Sequence, residues 1–311
     1  MTRTVDVLLA TYNSGPYLRE LLQSLERQSW TDFTVLVRDD GSVDGTVEML
    51  DALVREQPKR FHRIDKAGAR LGTLGSFSRL LEAAEAPYVM FCDHDDVWLP
   101  DKIEQTLSTM RSAVREHGED TPVLVFTDLR IVGEALQPIC ESYWRHQRMD
   151  PRRLALEQQL SQNVPCGCTM MLNRPLVDLC YPMPSKAVMH DHWVSLAAAA
   201  MGRFAYVDRA LILYRQHDEN VTGACGGRLD QWVARARQGL PALRERFYRN
   251  VDQAKVFLTR YRQKLSPEQV RLLEAFATLR EQGFLERRWT LLHHRILKCG
   301  LARNVASMVI V

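Results

Sequence analysis

Short apolar runs alternate with amphipathic stretches over the first 130 residues, and this alternation restricts the fold more than any other sequence feature. The apolar runs are rich in branched and aromatic residues, which predicts strands. In the amphipathic stretches, leucine and valine recur every three or four residues, which predicts helices. Strands that alternate with helices form a mostly parallel sheet with helices on both faces, so we predict an α/β fold. The predicted strands cover residues 5–10, 33–38, 61–65, 88–92 and 123–126, and the predicted helices cover 16–28, 44–55, 75–84 and 103–116.

The pattern changes in the second half of the chain. The elements predicted there are a helix at 152–161, an extended run at 166–172, an alanine-rich helix at 190–201 and two short strands within 203–214. After Gly226 and Gly227 the sequence predicts basic helices and no strand. The chain is therefore expected to divide into a domain at 1–227, with halves of about 1–130 and 131–227, and a helical region at 228–311.

The charge is small in total but unevenly distributed. The formal net charge of +3 does not indicate nucleic-acid binding. Residues 228–311, however, hold 17 Lys and Arg against 7 Asp and Glu, whereas residues 1–227 hold 24 against 31. A basic segment of this kind indicates an anionic surface as its partner.

The basic segment also contains an apolar repeat. Trp289, Leu292, Ile296 and Cys299 recur at helical spacing among arginines and lysines. A basic amphipathic helix lies in the headgroup region of anionic membranes, which predicts peripheral membrane contact. The alternative is a helix that packs on the protein core or forms a homodimer, because amphipathic helices usually face a core.

The cysteines and the apolar runs bear on location. Seven cysteines without regular spacing indicate reduced thiols, as in a cytoplasmic protein. The run at 5–10 is too short for the core of a signal peptide, and no run reaches the roughly 18 apolar residues of a membrane span. We therefore expect a cytoplasmic protein, with any membrane contact at the inner face of the cell membrane.

Three polar clusters follow predicted strands, at 11–15, 39–42 and 93–96. In sheets of this kind, ligands bind beyond the carboxyl ends of the strands. The third cluster places three carboxylates within four residues, which is unfavourable unless a cation such as Mg²⁺ or Mn²⁺ lies among them. The alternative is a solvated acidic turn in which Asp96 or Asp101 caps the next helix.

The first two clusters contain groups that suit a nucleoside. Asp39 or Asp40 could accept a hydrogen bond from a base N–H or a ribose hydroxyl, and Thr11, Tyr12 and Asn13 follow the first strand. The alternative is that these residues only form tight turns, in which aspartate, asparagine and glycine are common.

Six stretches of the chain form a recognisable set. They are 9–18 (LATYNSGPYL), 38–46 (RDDGSVDGT), 91–100 (FCDHDDVWLP), 163–170 (NVPCGCTM), 190–193 (HDHW) and 214–220 (YRQHDEN). The first three resemble the nucleotide-binding half, and the last three the acceptor half, of family 2 glycosyltransferases with the GT-A fold. The set is most similar to the rhamnosyltransferase-like branch of bacterial cell-surface polysaccharide biosynthesis, and it covers roughly residues 4–225.

The resemblance implies a metal-dependent, inverting transfer of a sugar from a nucleoside diphosphate. It implies that Thr11, Tyr12 and Asn13 line the nucleoside site. It also implies that Asp39 or Asp40 contacts the base or the ribose.

Residues that hold the metal and the diphosphate follow from the same resemblance. Asp93 and Asp95 match the D-x-D motif, with Asp93 near the ribose and the metal and Asp95 as a ligand of Mg²⁺ or Mn²⁺. His94 lies between them, where glutamine is commoner in this branch, and it is not counted as a ligand. His217 is implied as a third metal ligand or a diphosphate contact, and Arg215 as a diphosphate contact.

The resemblance places the catalytic base at Asp191. An acceptor hydroxyl is a weak nucleophile, so a carboxylate must take its proton as the glycosidic bond forms. The alternative role of Asp191 is an N-cap. His190, His192 and Trp193 are candidate donor or acceptor contacts, although buried packing is the alternative for each. Gly167 would let the backbone approach the donor sugar.

Branch similarity favours dTDP-L-rhamnose as the donor, with UDP-glucose or UDP-galactose as alternatives, and a saccharide or lipid-linked molecule as the acceptor. A sugar-1-phosphate nucleotidyltransferase is disfavoured, because residues 11–15 contain no Lys or Arg to hold a triphosphate. A non-catalytic interaction domain with the same fold is the remaining alternative. It is disfavoured because a buried acidic cluster without a cation is costly.

Overall fold

The computed structural model of the protein describes residues 3–65, 70–217 and 228–311, with the backbone alone from 228 to 238. Within these residues nine strands form one sheet. The strands are β1 (Val5–Thr11), β2 (Phe33–Asp39), β3 (Phe61–Arg63), β4 (Tyr88–Asp93), β5 (Val97–Trp98), β6 (Val123–Val132), β7 (Pro138–Cys140), β8 (Met171–Asn173) and β9 (Arg203–Arg215). Along the sheet they lie in the order β3-β2-β1-β4-β8-β6-β9-β5, and β7 pairs with β6.

The sheet is built around parallel pairs. β1 pairs in parallel with β2 and β4, β2 with β3, and β6 with β9. The short strand β8 lies antiparallel between β4 and β6 and joins the two halves of the sheet. The predicted α/β fold is therefore confirmed.

Helices cover this sheet where the leucine periodicity predicts them. On α1, for example, Leu18, Leu21 and Leu25 are fully buried, as their shared helical face requires. The helices are α1 (Gly15–Glu26), α2 (Thr46–Glu56), α3 (Gly72–Ala83), α4 (Lys102–His117), α5 (Tyr143–Gln147), α6 (Leu156–Ser161), α7 (Arg174–Cys180), α8 (His190–Met201), α9 (Arg228–Tyr261), α10 (Pro267–Ala277), α11 (Phe284–His293) and α12 (Leu301–Ile310).

The pair β6 and β9 differs from the sequence prediction. The sequence predicts a strand that ends at residue 126 and two short strands within 203–214, whereas β6 continues to Val132 beside a single β9. The reason is Asp128, a buried carboxylate that interrupts the apolar pattern of β6. It accepts hydrogen bonds from the Ser142 hydroxyl (2.5 Å) and the Leu129 N–H (2.8 Å), so its burial is compensated.

Helices α9 to α12 pack on the body of the protein. Phe276, Leu291 and Val311 belong to the same buried cluster as residues of β1, β4 and α8. The core-packing alternative for the basic region is therefore confirmed for the inward side of these helices. The domain boundary predicted after Gly227 lies outside the described residues.

The predicted amphipathic helix from Trp289 to Cys299 is wrong in its extent. Helix α11 ends at His293, because Arg295 adopts a left-handed φ of 53° and turns the chain out of the helix. Ile296 and Cys299 are buried beyond that turn. Among the residues that the structure describes, no helix combines the length and the apolar character needed to cross a bilayer.

Trp193 connects α8 to the helices at the end of the sequence. Its side chain is fully buried, with its ring centroid 5.3 Å from that of Phe257 and 5.9 Å from that of Tyr261. Its indole N–H donates to the carbonyl of Cys180 at 3.3 Å. The tryptophan is therefore a core residue, which is the alternative that the sequence left open, and the predicted contact with a sugar is not supported.

We expect Trp193→Ala to lower the free energy of unfolding by about 3–5 kcal/mol, since it leaves a cavity between α8 and α9. Chemical denaturation measures this loss. Trp289→Ala is the matched control, because Trp289 is 65% exposed and its removal leaves no cavity. Equal stability of the two variants would contradict the core assignment.

Candidate functional site

The carboxyl ends of three buried strands meet at one edge of the sheet. In the register of the strands, Thr11 lies beside Asp39, and Ala10 lies beside Asp93. The polar clusters at 11–15, 39–42 and 93–96 therefore come together, as the sequence predicts.

The first two clusters are tied to each other by hydrogen bonds. The Thr11 hydroxyl donates to Asp39 Oδ1 at 2.9 Å, and the Asn13 N–H donates to the Ser42 hydroxyl at 2.8 Å. Asp39 Oδ2 also accepts from the N–H groups of Gly41 and Ser42 at 3.0 and 2.8 Å. Tyr12 projects from this loop, 37% exposed. The result is a rigid polar edge with one partly exposed aromatic ring.

Asp40 faces away from this edge. It accepts from Arg38 Nη1 at 2.7 Å and from the N–H groups of Leu71 and Gly72 at 2.7 and 2.8 Å. Burial opposes its ionisation, but these hydrogen bonds hold the pKa of Asp40 below its ordinary value. Asp40 therefore anchors the start of α3, as Asp39 anchors the loop at 41–42, and the predicted nucleoside contact of Asp39 or Asp40 stays a prediction.

The third cluster holds an excess of negative charge. Burial, together with the neighbouring Asp95 and Asp191, raises the pKa of Asp93 to about 7. Burial and the charges of Asp95 and Asp93 also raise the pKa of Asp96 well above its ordinary value. One carboxylate oxygen of Asp96 is buried without a hydrogen-bond partner in the structure. Such a group fits a nearby cation, which would compensate the buried charge.

Two sets of side chains could hold that cation. Asp95 Oδ2 lies 2.9 Å from Nε2 of His217, which brings together two of the predicted ligands. The ligand atoms of Asp93, Asp96 and Cys168 lie within 4.8 Å of one another. The residues present therefore fit a divalent cation, and the structure adds Asp96 and Cys168 to the set that sequence reasoning proposed.

Arg215 supports the third cluster, the acidic turn at 93–96, from the interior of the protein. Its side chain is 2% exposed, and its Nε donates to the carbonyl of Asp95 at 2.9 Å. Its Nη atoms donate to the carbonyl of Glu134 and to the carboxylate of Glu20. Arg215 therefore positions Asp95, and its predicted contact with the diphosphate stays a prediction.

Asp191 approaches the same edge from the other half of the sheet. It is the second residue of α8, whose N-cap is Met189, so it does not cap that helix. Its Oδ1 accepts from the His192 N–H at 2.6 Å. Burial raises the pKa of Asp191 to about 6, although hydrogen bonds from His192, Gly167 and Asn163 oppose the shift. A Cβ built at Gly167 would lie 3.4 Å from Cβ of Asp191, and the next residue, Cys168, has its Sγ within 4.8 Å of the ligand atoms of Asp93 and Asp96, so Asp191 lies near the third cluster.

The two histidines beside Asp191 are buried. The ring centroid of His190 lies 4.0 Å from that of Phe77 and 4.7 Å from that of Phe91, and burial lowers its pKa to about 3. His192 Nε2 lies 2.7 Å from the carbonyl oxygen of Gln159, and burial lowers its pKa to about 4. Both histidines are therefore neutral packing residues, and their predicted sugar contacts are not supported.

Gly167 lies against these residues. A Cβ at this position would be 2.6 Å from Nε2 of His190 and 3.4 Å from Cβ of Asp191. The absence of a side chain is thus required for the close approach of the 163–170 segment to α8.

Comparison with known proteins agrees with this geometry. The sequence model of the family described as Glycosyl transferase family 2 matches residues 6–178, more than half of the chain. The chain belongs to the family 2 glycosyl transferases. The match includes all three polar clusters and Gly167 but ends before Asp191.

Individual relatives of this family 2 glycosyl transferase are distant. The dTDP-rhamnosyl transferase RfbG of Shigella flexneri is 22% identical over 236 residues, which cover 70% of this chain and 74% of RfbG. The alignments to two further glycosyltransferases cover about a third of the length of each.

Two solved structures share the fold. TarS of S. aureus, residues 1–349 in complex with UDP-GlcNAc, is 16% identical with a TM-score of 0.53, over 99% of this chain and 89% of TarS. The mannosyltransferase PcManGT of Pyrobaculum calidifontis, in complex with GDP-Man and Mn²⁺, is 18% identical with a TM-score of 0.53, over 99% and 87% of the two chains. These likenesses establish the GT-A-like fold.

We expect Gly167→Ala to reduce turnover by about 10²-fold, since the new methyl group displaces His190 and with it Asp191. Gly283→Ala is the matched control, because nothing lies within 4 Å of a Cβ built there. Steady-state rates and thermal unfolding of both variants measure the effect. Wild-type turnover in Gly167→Ala would show that the contact with His190 is not needed.

Proposed function

We propose that this family 2 glycosyl transferase moves a sugar from a nucleoside diphosphate to an acceptor hydroxyl with inversion at the anomeric carbon. The observation that carries the proposal is the position of Asp191 against Gly167, next to Cys168, whose Sγ lies within 4.8 Å of the carboxylate oxygens of Asp93 and Asp96. A base and a cation site that face each other across one edge are the minimum that such a displacement requires.

Asp191 has the properties of a general base. It is partly exposed, and its raised pKa of about 6 makes it more basic than an ordinary carboxylate while leaving it ionised at neutral pH. It would accept the proton of the acceptor hydroxyl as the new bond forms. Asn163 and the Gly167 N–H, which donate to Asp191, hold its carboxylate in place.

Asp93, Asp95 and His217 would hold the divalent cation, Mg²⁺ or Mn²⁺, with Asp96 and Cys168 beside them. When bound, the cation would neutralise the charge that develops on the diphosphate leaving group. Thr11, Tyr12, Asn13 and Asp39 would line the nucleoside site.

The donor proposed is dTDP-L-rhamnose, supported by the branch similarity and by the dTDP-rhamnosyl transferase among the relatives. UDP-glucose or UDP-galactose is the alternative donor. The acceptor proposed is a saccharide or a lipid-linked saccharide of cell-surface polysaccharide biosynthesis. We propose that the enzyme acts in the cytoplasm, at the inner face of the membrane or as a homodimer through its last helices.

A panel of nucleotide sugars tests this function. We expect hydrolysis or transfer with Mn²⁺ or Mg²⁺, fastest for dTDP-L-rhamnose, and loss of turnover in EDTA or in Asp95→Ala. Mn²⁺ with dTDP should also raise the melting temperature, because a ligand that binds the folded state stabilises it. Faster turnover of a UDP-sugar would identify that UDP-sugar as the donor in place of dTDP-L-rhamnose. Full activity in EDTA would refute the cation, and a panel without turnover or stabilisation would favour a non-catalytic interaction domain.

The role of Asp191 predicts a pH profile. A base works only when deprotonated, so kcat should rise with pH through about 6, the raised pKa of Asp191, and then level off. Asp191→Asn keeps the shape but removes the basicity, and we expect turnover to fall by about 10²–10⁴ with nucleotide binding retained. Asp208→Asn, an exposed carboxylate on β9, is the control. Unchanged turnover in Asp191→Asn would exclude it as the base.

A further inference from the structure

Helices α11 and α12 present apolar residues on the sides that face away from the protein. On α11, Leu285, Trp289 and Leu292 are 77%, 65% and 55% exposed. The exposed residues of α12 are all apolar: Leu301, Ala302, Val305, Ala306 and Val309. Single exposed apolar residues are ordinary, but eight of them on two successive helices indicate an interaction surface. We name these eight residues the α11–α12 face.

The opposite sides of both helices are already occupied. Leu291 of α11 and Val311 after α12 are buried in the main core, so the α11–α12 face is not the core-packing side. Arg288 Nη1 donates to the carbonyl of Val311 at 3.4 Å, which links α11 to the end of α12.

The charged residues of the segment that carries the α11–α12 face are almost all positive. Residues 283–311 contain five Lys and Arg and one acidic residue, Glu286. Arg295 is exposed in the loop between the two helices, and Arg288 lies on the edge of α11. A basic border fits an anionic surface, whereas a two-fold contact between copies of this face would bring like charges together.

The α11–α12 face is also connected to the acceptor half of the site. The Cys299 N–H, in the loop between the two helices, donates to Oε1 of Gln162 at 2.7 Å. The next residue, Asn163, donates to Asp191. A lipid-linked molecule in a membrane that contacts this loop would thus be near the segment that holds the proposed base.

We propose that the α11–α12 face binds the surface of a bilayer that contains anionic phospholipid, with the apolar side chains among the acyl chains and the arginines at the headgroups. The consequence for acceptor choice, a lipid-linked saccharide, rests on the proposed function. The binding itself does not.

Co-sedimentation of the full chain with phosphatidylcholine vesicles, with and without phosphatidylglycerol, tests the proposal. We expect binding to the anionic vesicles at low salt and its loss at high salt. The double variant Val305→Ser/Val309→Ser should bind at least about tenfold more weakly, because it removes exposed apolar area without opening the core. Ile139→Ser is the control, since Ile139 is 49% exposed on strand β7 and is not part of the α11–α12 face. Thermal unfolding verifies that each variant folds.

Absence of binding by the full chain at low salt would overturn the proposal, as would equal binding by the wild type and the double variant. If the wild type is a dimer that does not bind vesicles, and the double variant is a monomer, the α11–α12 face binds a second copy of the chain instead. Vesicle binding by a chain that turns over no nucleotide sugar would support this inference while refuting the proposed function.

Discussion

Negative charge gathers at the carboxyl ends of β2 and β4, on either side of β1. Buried carboxylates are costly unless cations or hydrogen bonds compensate them. Arg38 and Arg215, both buried, compensate Asp40 and the Asp95 turn from inside the protein. Lys102 is a third buried cation; its Nζ lies 4.5 Å from the centroid of the Trp98 ring, and burial lowers its pKa to about 8. Asp96 keeps one buried carboxylate oxygen without a hydrogen-bond partner, and the proposed cation would compensate this charge.

The position of Asp191 depends on how the second half of the sheet meets the first. Strand β8 lies antiparallel between β4 and β6, and the segment before it passes Gly167 directly against α8. Phe77 of α3 and Phe91 of β4 hold the ring of His190 at the start of α8. The apolar environment of His190 thus fixes where the next residue, Asp191, enters the site.

The sequence predicts β1, β2 and β4 closely, because each is a buried apolar run that a polar cluster ends. It also singles out Asp93 and Asp95, since carboxylates at a strand end stand out against apolar neighbours, whereas Asp191 is proposed from the family resemblance. It missed the pairing of Asp96 with Cys168, because residues 72 positions apart meet only through the register of the sheet. It predicts ligand contacts for Arg215 and Trp193, because residue type does not reveal whether a side chain is buried. Buried Asp128 likewise hid the continuation of β6.

The helices at the end of the sequence are more than an appendage to this site. Arg153 donates to the carbonyl of Leu297 at 3.1 Å, and Arg303 donates to Oε1 of Gln147 at 3.1 Å. Together with the hydrogen bond from Cys299 to Gln162, these contacts link the 147–162 segment to α12 and to the loop that precedes it. Because that segment leads directly into Asn163 and Gly167, which donate to Asp191, the end helices help to fix the acceptor side of the site. The loop between α11 and α12 is therefore connected to the proposed base through hydrogen bonds to one short segment.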